Sequence, residues 1–136
     1  MDFSTSMTVC ASGMRAQSER MKIIAENIAN ANSAAATPGG EPYRRKIATQ
    51  TSEFDRELNA TLVHSGHTIA DMSDFHTQYD PGNPLADKQG YVKLPNVNSL
   101  VEIMDMREAQ RSYEADLTMM DATKQMLMST VDLLKK

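Results

Sequence analysis

Tryptophan is missing from these 136 residues, cysteine occurs once, and aromatic side chains make up only 5% of the chain. A single cysteine excludes an intramolecular disulfide framework and a multi-cysteine zinc site. The shortage of aromatics argues against a large, rigid, aromatic-centred core. A basic surplus is lacking too: 14 Lys and Arg stand against 18 Asp and Glu, a net charge of -4 with a pI near 5.3. Nucleic-acid binders ordinarily carry the opposite balance. No run approaches the roughly 20 apolar residues of a membrane helix, and mean hydropathy is -0.47. The opening Met1-Asp2-Phe3-Ser4-Thr5-Ser6-Met7 has no basic n-region, apolar h-region or small-residue cleavage site. A Sec-type signal peptide is therefore not expected, and by itself this points to the cytosol. The length suits one domain, or a small domain with extended arms.

What the chain does have is methionine, 11 in all, and every one except Met72 falls in the two terminal segments. Long helices packed by soft, adaptable side chains fit that distribution. In residues 1–36, Phe3, Met7, Cys10, Met14, Gln17, Met21, Ile24 and Ile28 recur at alternating steps of four and three. Only Gln17 among them is polar, so the pattern reads as a heptad seam. Asp2 or Ser4 is the expected cap, and Thr37-Pro38-Gly39-Gly40 the expected stop. Residues 97–136 mirror this with Leu100, Ile103, Met106, Gln110, Tyr113, Leu117, Met120, Lys124, Leu127, Val131 and Leu134. Asn98 or Ser99 is the expected N-cap, with Glu102 in the first turn and Lys135 and Lys136 at the far end, each favourable to the helix dipole. A helix over about 97–134 would be roughly 55 Å long, and it needs a partner along its whole seam. Each seam also has a second apolar flank: Ala11, Ile23 and Ala25 in the first, Val101, Met104, Met119, Met126 and Met128 in the second. A pair apolar on more than one face requires further helices, which favours a helical oligomer.

Residues 37–96 differ. They hold all five prolines and five of the six glycines. Short β-prone runs occur at Arg45-Lys46-Ile47-Ala48-Thr49, Thr61-Leu62-Val63-His64, Phe75-His76-Thr77-Gln78-Tyr79 and Tyr91-Val92-Lys93-Leu94, separated by turn signals at Gly39-Gly40 and Asp80-Pro81-Gly82-Asn83-Pro84. The expected fold is mostly α: N- and C-terminal axial helices (1–36 and 97–136) forming one antiparallel coiled-coil core, with a small irregular β/loop insert over 37–96.

Chemistry is thinly supported. His64 and His67, with Asp71 and His76 beyond, give the best metal-like spacing, but Gly66 intervenes and the segment reads as a solvated loop. Cys10 lies on the seam, where a thiol packs as a small apolar side chain and is inert. Nucleophile-elbow and phosphate-loop patterns are absent from the sequence. Arg44-Arg45-Lys46 reads as an exposed strand edge carrying gatekeeper charges. Glu53, Asp55 and Glu57, around Phe54 and Arg56, read as a solvated turn or helix face. No catalytic, metal or cofactor residue is expected.

Ala25-Glu26-Asn27-Ile28-Ala29-Asn30-Ala31-Asn32, followed by Thr37-Pro38-Gly39 and Tyr43-Arg44-Arg45-Lys46, resembles the N-terminal signature of bacterial flagellar rod and hook axial proteins. Asp80-Pro81-Gly82-Asn83-Pro84-Leu85-Ala86-Asp87, then Gly90-Tyr91-Val92 and Pro95-Asn96-Val97-Asn98, is similar to a proximal-rod member of that family. Ala109-Gln110-Arg111-Ser112-Tyr113-Glu114-Ala115-Asp116 resembles its C-terminal helical signature. The resemblance implies a non-enzymatic structural subunit of the periplasm-spanning rod. It would cross the inner membrane unfolded through the flagellar type III export apparatus, without a cleaved signal peptide. Its partners would be other rod proteins, copies of itself and the basal-body base, with no nucleic acid or small-molecule substrate. A cytosolic helical adaptor or export-chaperone-like module, holding partner helices on its methionines, is the alternative.

Overall fold

A computed structural model describes residues 2–135. Helix α1 (Phe3–Ala29) is followed by strands β1 (Lys46–Ile47), β2 (Gln50–Asp55), β3 (Ala60–Ser65), β4 (Ile69–Ala70), β5 (His76–Tyr79) and β6 (Tyr91–Leu94), and then by helix α2 (Ser99–Leu134). The strands form three separate antiparallel pairs: β1 with β4, β2 with β3, and β5 with β6. The mostly α architecture with a small β region between two long helices is thus present.

Helix ends follow local chemistry. Asn98 caps α2, its Oδ1 accepting from the backbone N–H of Leu100 at 3.1 Å and of Val101 at 3.5 Å. At 36 residues, α2 spans roughly 54 Å. Lys135 follows α2 directly, whereas Met1 and Lys136 lie outside the described residues. Helix α1 stops at Ala29, earlier than the Thr37-Pro38 signal suggests. The Asn30 side chain takes the Glu26 carbonyl at 2.8 Å, and the chain tightens into i to i−3 bonds from Ala31 to Ile28 and from Ser33 to Asn30.

The insert corrects one reading and adds a strand that the sequence did not announce. The stretch around Glu53 and Asp55 is neither helical nor wholly a turn: Glu53–Asp55 closes strand β2. The turn begins after it, where Asp55 Oδ1 accepts from the N–H groups of Glu57 and Leu58, and Asn59 adopts a φ of 49°. Strand β4 lacks a long β-branched run and exists by pairing with β1.

The chain divides into two compact units. The first comprises Met1–Met21, Thr49–His67 and Arg107–Lys136. Its buried residues are small: Thr5, Ala16, Ala60, Ala109 and Thr123. A Cβ on Gly13 would lie 2.6 Å from Asp116 Oδ2, and Arg20 pairs with Glu108 at 3.1 Å. Contacts therefore descend α2 as they ascend α1, the order in which antiparallel helices meet. The β2–β3 hairpin is tied to α1 by the Val63 N–H donating to Ser12 Oγ.

The second unit comprises Lys22–Ala48 and Thr68–Met106. Ile24, Ala31, Ala35, Val92, Pro95 and Val97 are buried in it. Strands β5 and β6 are joined by the loop carrying Pro81, Gly82, Asn83 and Pro84. Asn83 Oδ1 accepts from the Leu85 N–H, and Asp87 Oδ1 accepts from the N–H groups of Gln89 and Tyr91. Gly90, at φ +85°, closes that loop in a conformation other residues rarely adopt, and the rings of Tyr79 and Tyr91 meet edge to face at 5.2 Å.

Candidate functional site

The most organised chemistry lies in the second unit and is polar. Asn27, on α1, is 1% exposed and uses its whole amide. Its Nδ2 donates to the Lys46 carbonyl at 2.8 Å and to Glu102 Oε2 at 3.0 Å. Its Oδ1 accepts from Tyr43 Oη and from the Lys46 N–H, both at 2.9 Å. A primary amide presents the donor and acceptor pair of a peptide, so Asn27 stitches the helix to the backbone of β1 as a neighbouring strand would. Glu102 on α2 is 0% exposed and also receives Arg45 Nε at 2.6 Å. Arg45 reaches Asp71 at 3.5 Å and Asp105 at 3.7 Å as well.

Asn96 closes the cluster. Its Oδ1 accepts the Arg45 N–H at 2.8 Å, while its Nδ2 donates to the Asp71 carbonyl and to Ser73 Oγ. Arg44 lies over the Phe75 ring at 4.2 Å, and Lys46 Nζ bonds Glu26 at 2.9 Å. Arg44-Arg45-Lys46 is thus not an exposed edge of gatekeeper charges. All three are half-buried or paired: Arg44 meets the nearby Glu41, and the acidic side chains that match Arg45 and Lys46 come from both helices and from residue 71.

The electrostatics follow these contacts. Burial opposes the Arg45 charge, but Glu102 and Asp71 outweigh it and hold its pKa above the ordinary arginine value. Hydrogen bonds from Ser73, with Arg45 adding to them, hold the Asp71 carboxyl below the aspartate range. Glu26 is lowered and Lys46 raised by their mutual hydrogen bond. Burial raises Tyr43. Taking a carboxylate such as Glu102 out of water costs several kcal/mol, and stripping one partner from a buried pair costs about 3–5 kcal/mol. The cluster is therefore strongly committed to this one arrangement.

The seam residues are distributed differently. Ile24 is buried, and Phe3, Met7, Cys10, Met14, Met21 and Ile28 are half-buried along α1. Gln17, the polar break in that seam, holds its Oε1 out of water with no hydrogen-bond partner among the described residues. On α2, Met106, Tyr113 and Met120 are half-buried, but Leu100, Ile103, Leu117, Leu127, Val131 and Leu134 are exposed. The flanking Val101, Met104, Met119, Met126 and Met128 are exposed too. The face that α2 buries within the chain is instead small or polar: Glu102, Ala109 and Thr123.

The motif residues Asn27, Tyr43 and Asn96 are brought together in the polar cluster, whereas Asn30, Pro38, Pro81, Gly82, Asn83, Pro84, Gly90, Tyr91 and Pro95 shape turns and a strand start around it. Glu102 and Asp71 are the members that sequence reasoning missed in this role. A charged residue set between Val101 and Ile103 is the signal that could have found Glu102. His64 and His67 are exposed in the first unit; Asp71 and His76 belong to the second. Among the described residues no group of three or more His, Cys, Asp or Glu could hold a metal ion, and no helix is long and apolar enough to cross a membrane.

Two long helices joined by a β insert, the second of them apolar on its exposed face, define a helical structural subunit. Residues 7–36 match the family model of the flagella basal body rod protein, and residues 88–133 match that of the flagellar basal body rod FlgEFG protein C-terminal region. The chain is 48% identical to the flagellar basal-body rod protein FlgC of Agrobacterium fabrum over 132 residues, covering 97% of this chain and 95% of that one. It is 39% identical to the FlgC of Bacillus subtilis, covering 94% and 95%. It is 36% identical to that of Salmonella typhimurium, covering 92% of each. The chain belongs to the FlgC family of flagellar basal-body rod proteins, and it is a structural subunit of the rod. The adaptor reading finds no support in these relatives.

Proposed function

We propose that the chain builds the proximal rod by packing its terminal helices as an antiparallel coiled coil, against its own partner helix and against the helices of adjoining subunits. The helical core is residues 1–36 with 97–136, and residues 37–96 form the insert that touches neighbours. The carrying observation is the run of exposed Leu, Ile, Val and Met residues along α2, from Leu100 to Leu134. Apolar residues at helical spacing left open to water are covered when further helices pack on them. Knobs held in four-residue holes resist axial sliding, which a torque-transmitting shaft requires. Interfaces that repeat without closing give a helical filament. Partners on this reading are other rod proteins, further copies of the chain, the basal-body base and, during secretion, the type III export apparatus. The chain acts in the periplasm-spanning rod, reaches it without a cleaved signal peptide, and performs no catalysis.

The test uses exposed positions. Leu117→Glu combined with Leu134→Glu alters surface residues, whose substitution usually changes stability by no more than about 0.5 kcal/mol. The variant should be exported and as helical as the parent, yet missing from purified basal bodies, and its cells should be non-motile. Normal incorporation overturns the packing scheme.

A further inference from the structure

The first turns of α2 are rolled the wrong way round for an amphipathic helix. Leu100, Ile103 and Met104 stand at i, i+3 and i+4, with Val101 beside them, a pattern that ordinarily turns inward. All four are exposed, Leu100 at 68% and Met104 at 65%. Glu102 is two residues from both Leu100 and Met104. At 3.6 residues per turn it therefore lies roughly on the opposite side of the helix, and it is the residue that is fully buried.

We infer that Glu102 is a positioning residue for assembly: it fixes which face of α2 the subunit offers to its neighbour. Its carboxylate is held at one end by Asn27 Nδ2 and at the other by Arg45 Nε. Neither holder can follow a rolling helix. Asn27 is bound to the Lys46 backbone on both its donor and acceptor sides, and the Arg45 main chain is bound to Asn96. Turning Leu100, Ile103 and Met104 inward would carry Glu102 out, leaving Arg45 Nε and one N–H of the Asn27 amide without the acceptor they share. The polar cluster thereby overrides the apolar preference locally and keeps the Leu100–Met104 edge outside. The occupant is an apolar helix edge of an adjoining rod subunit, since i, i+3 and i+4 residues form the ridge that packs into a helix groove. That last step rests on the packing scheme proposed above; the positioning role does not.

The experiment reads peroxide oxidation of the thioethers in the free, full-length protein. Met104 is exposed and Met106 half-buried on the Glu102 side, so in the parent Met104 should be oxidised several-fold faster. In Glu102→Leu the helix keeps its length by far-UV circular dichroism but rolls, and the ratio of Met104 to Met106 rates falls to one or below. An unchanged ratio in a helical variant overturns the positioning role. Should Glu102→Leu lose its helix, Glu102→Gln is read instead. It keeps the shape but sets an N–H donor against either Asn27 or Arg45, and its ratio must fall at least twofold. An unchanged ratio there, or loss of helix in both variants, also overturns the inference. Basal bodies from cells producing the helical variant supply the second readout. Lost incorporation supports the link to assembly. Parental incorporation with a fallen ratio overturns that link alone, and the packing scheme proposed above is tested separately by the Leu117 and Leu134 variant.

Discussion

Asn27 shows how much one side chain can carry. Four hydrogen bonds leave its amide without spare capacity, and each buried group stranded by its loss costs about 1–3 kcal/mol. Asn27→Ala orphans the Lys46 peptide and the Tyr43 hydroxyl together. It should lower stability by roughly 3 kcal/mol, read as an earlier urea midpoint with an unchanged slope. Asn27→Asp should fare no better, since it sets a second carboxylate against Glu102. Asp71 gives a pH signature. Its folded pKa lies below the ordinary aspartate value of about 3.9. The stability it contributes is therefore present above that value and is lost as pH falls through the folded one. Thermal melts should drop below about pH 4. Asp71→Asn should flatten that part of the profile; an identical acid slope in the variant would remove Asp71 as its source. Lys46 acts at the other extreme: raised by Glu26, it contributes below the ordinary lysine value and loses that contribution only as pH rises through its higher folded one.

At the scale of the element, the proposed scheme asks α2 to serve two packings. In the first unit, Gly13, Ala16 and Ala109 are small where the chain packs on itself. Small residues let backbones approach, and they leave the large side chains for other contacts. Proline tests the two helices at different risk. Ile24→Pro strikes a buried position in the interior of α1 and should cost about 3 kcal/mol or more, as proline removes a backbone bond and clashes with the preceding turn. Leu117→Pro breaks α2 at an exposed position by the same mechanism. Both variants should be found outside the cytoplasm yet missing from purified basal bodies. Incorporation of Leu117→Pro at the parental level would show that continuity of α2 is dispensable.

For the whole molecule, the balance between polar order and exposed apolar surface sets what the free subunit does. The second unit closes a polar cluster internally but leaves Leu100, Ile103 and Met104 exposed, and in the first unit Leu117, Met119, Met126, Leu133 and Leu134 face water with no such cluster beside them among the described residues. An isolated helix draws most of its stability from packing, so the far part of α2 has little to hold it before neighbours arrive. Helices of 27 and 36 residues make up nearly half of the folded chain. Far-UV circular dichroism of dilute protein should show clearly less helix than that, and added rod partners should restore it. Full helicity in a monodisperse monomer would contradict this account. Segments left unfolded until docking also suit passage through a narrow export channel.

Periodicity and punctuation determined the two long helices, the α2 cap to within Asn98 or Ser99, and four of the six strands named above, because these depend on residues near one another in sequence. Strand β4 was illegible because only its pairing with β1 makes it a strand. The seams were legible as apolar rows, but which row faces inward was not. Leu100, Ile103 and Met104 promise an inner face by spacing alone, and the chain buries Glu102 instead. That choice depends on Asn27, Arg45 and Asn96, which lie up to 75 residues from it and from each other and meet only in the folded chain. The motif marked Asn27, Tyr43 and Asn96 by resemblance, but their shared role is tertiary: a fully bonded amide and a paired carboxylate outweigh the apolar moment of a single helix turn.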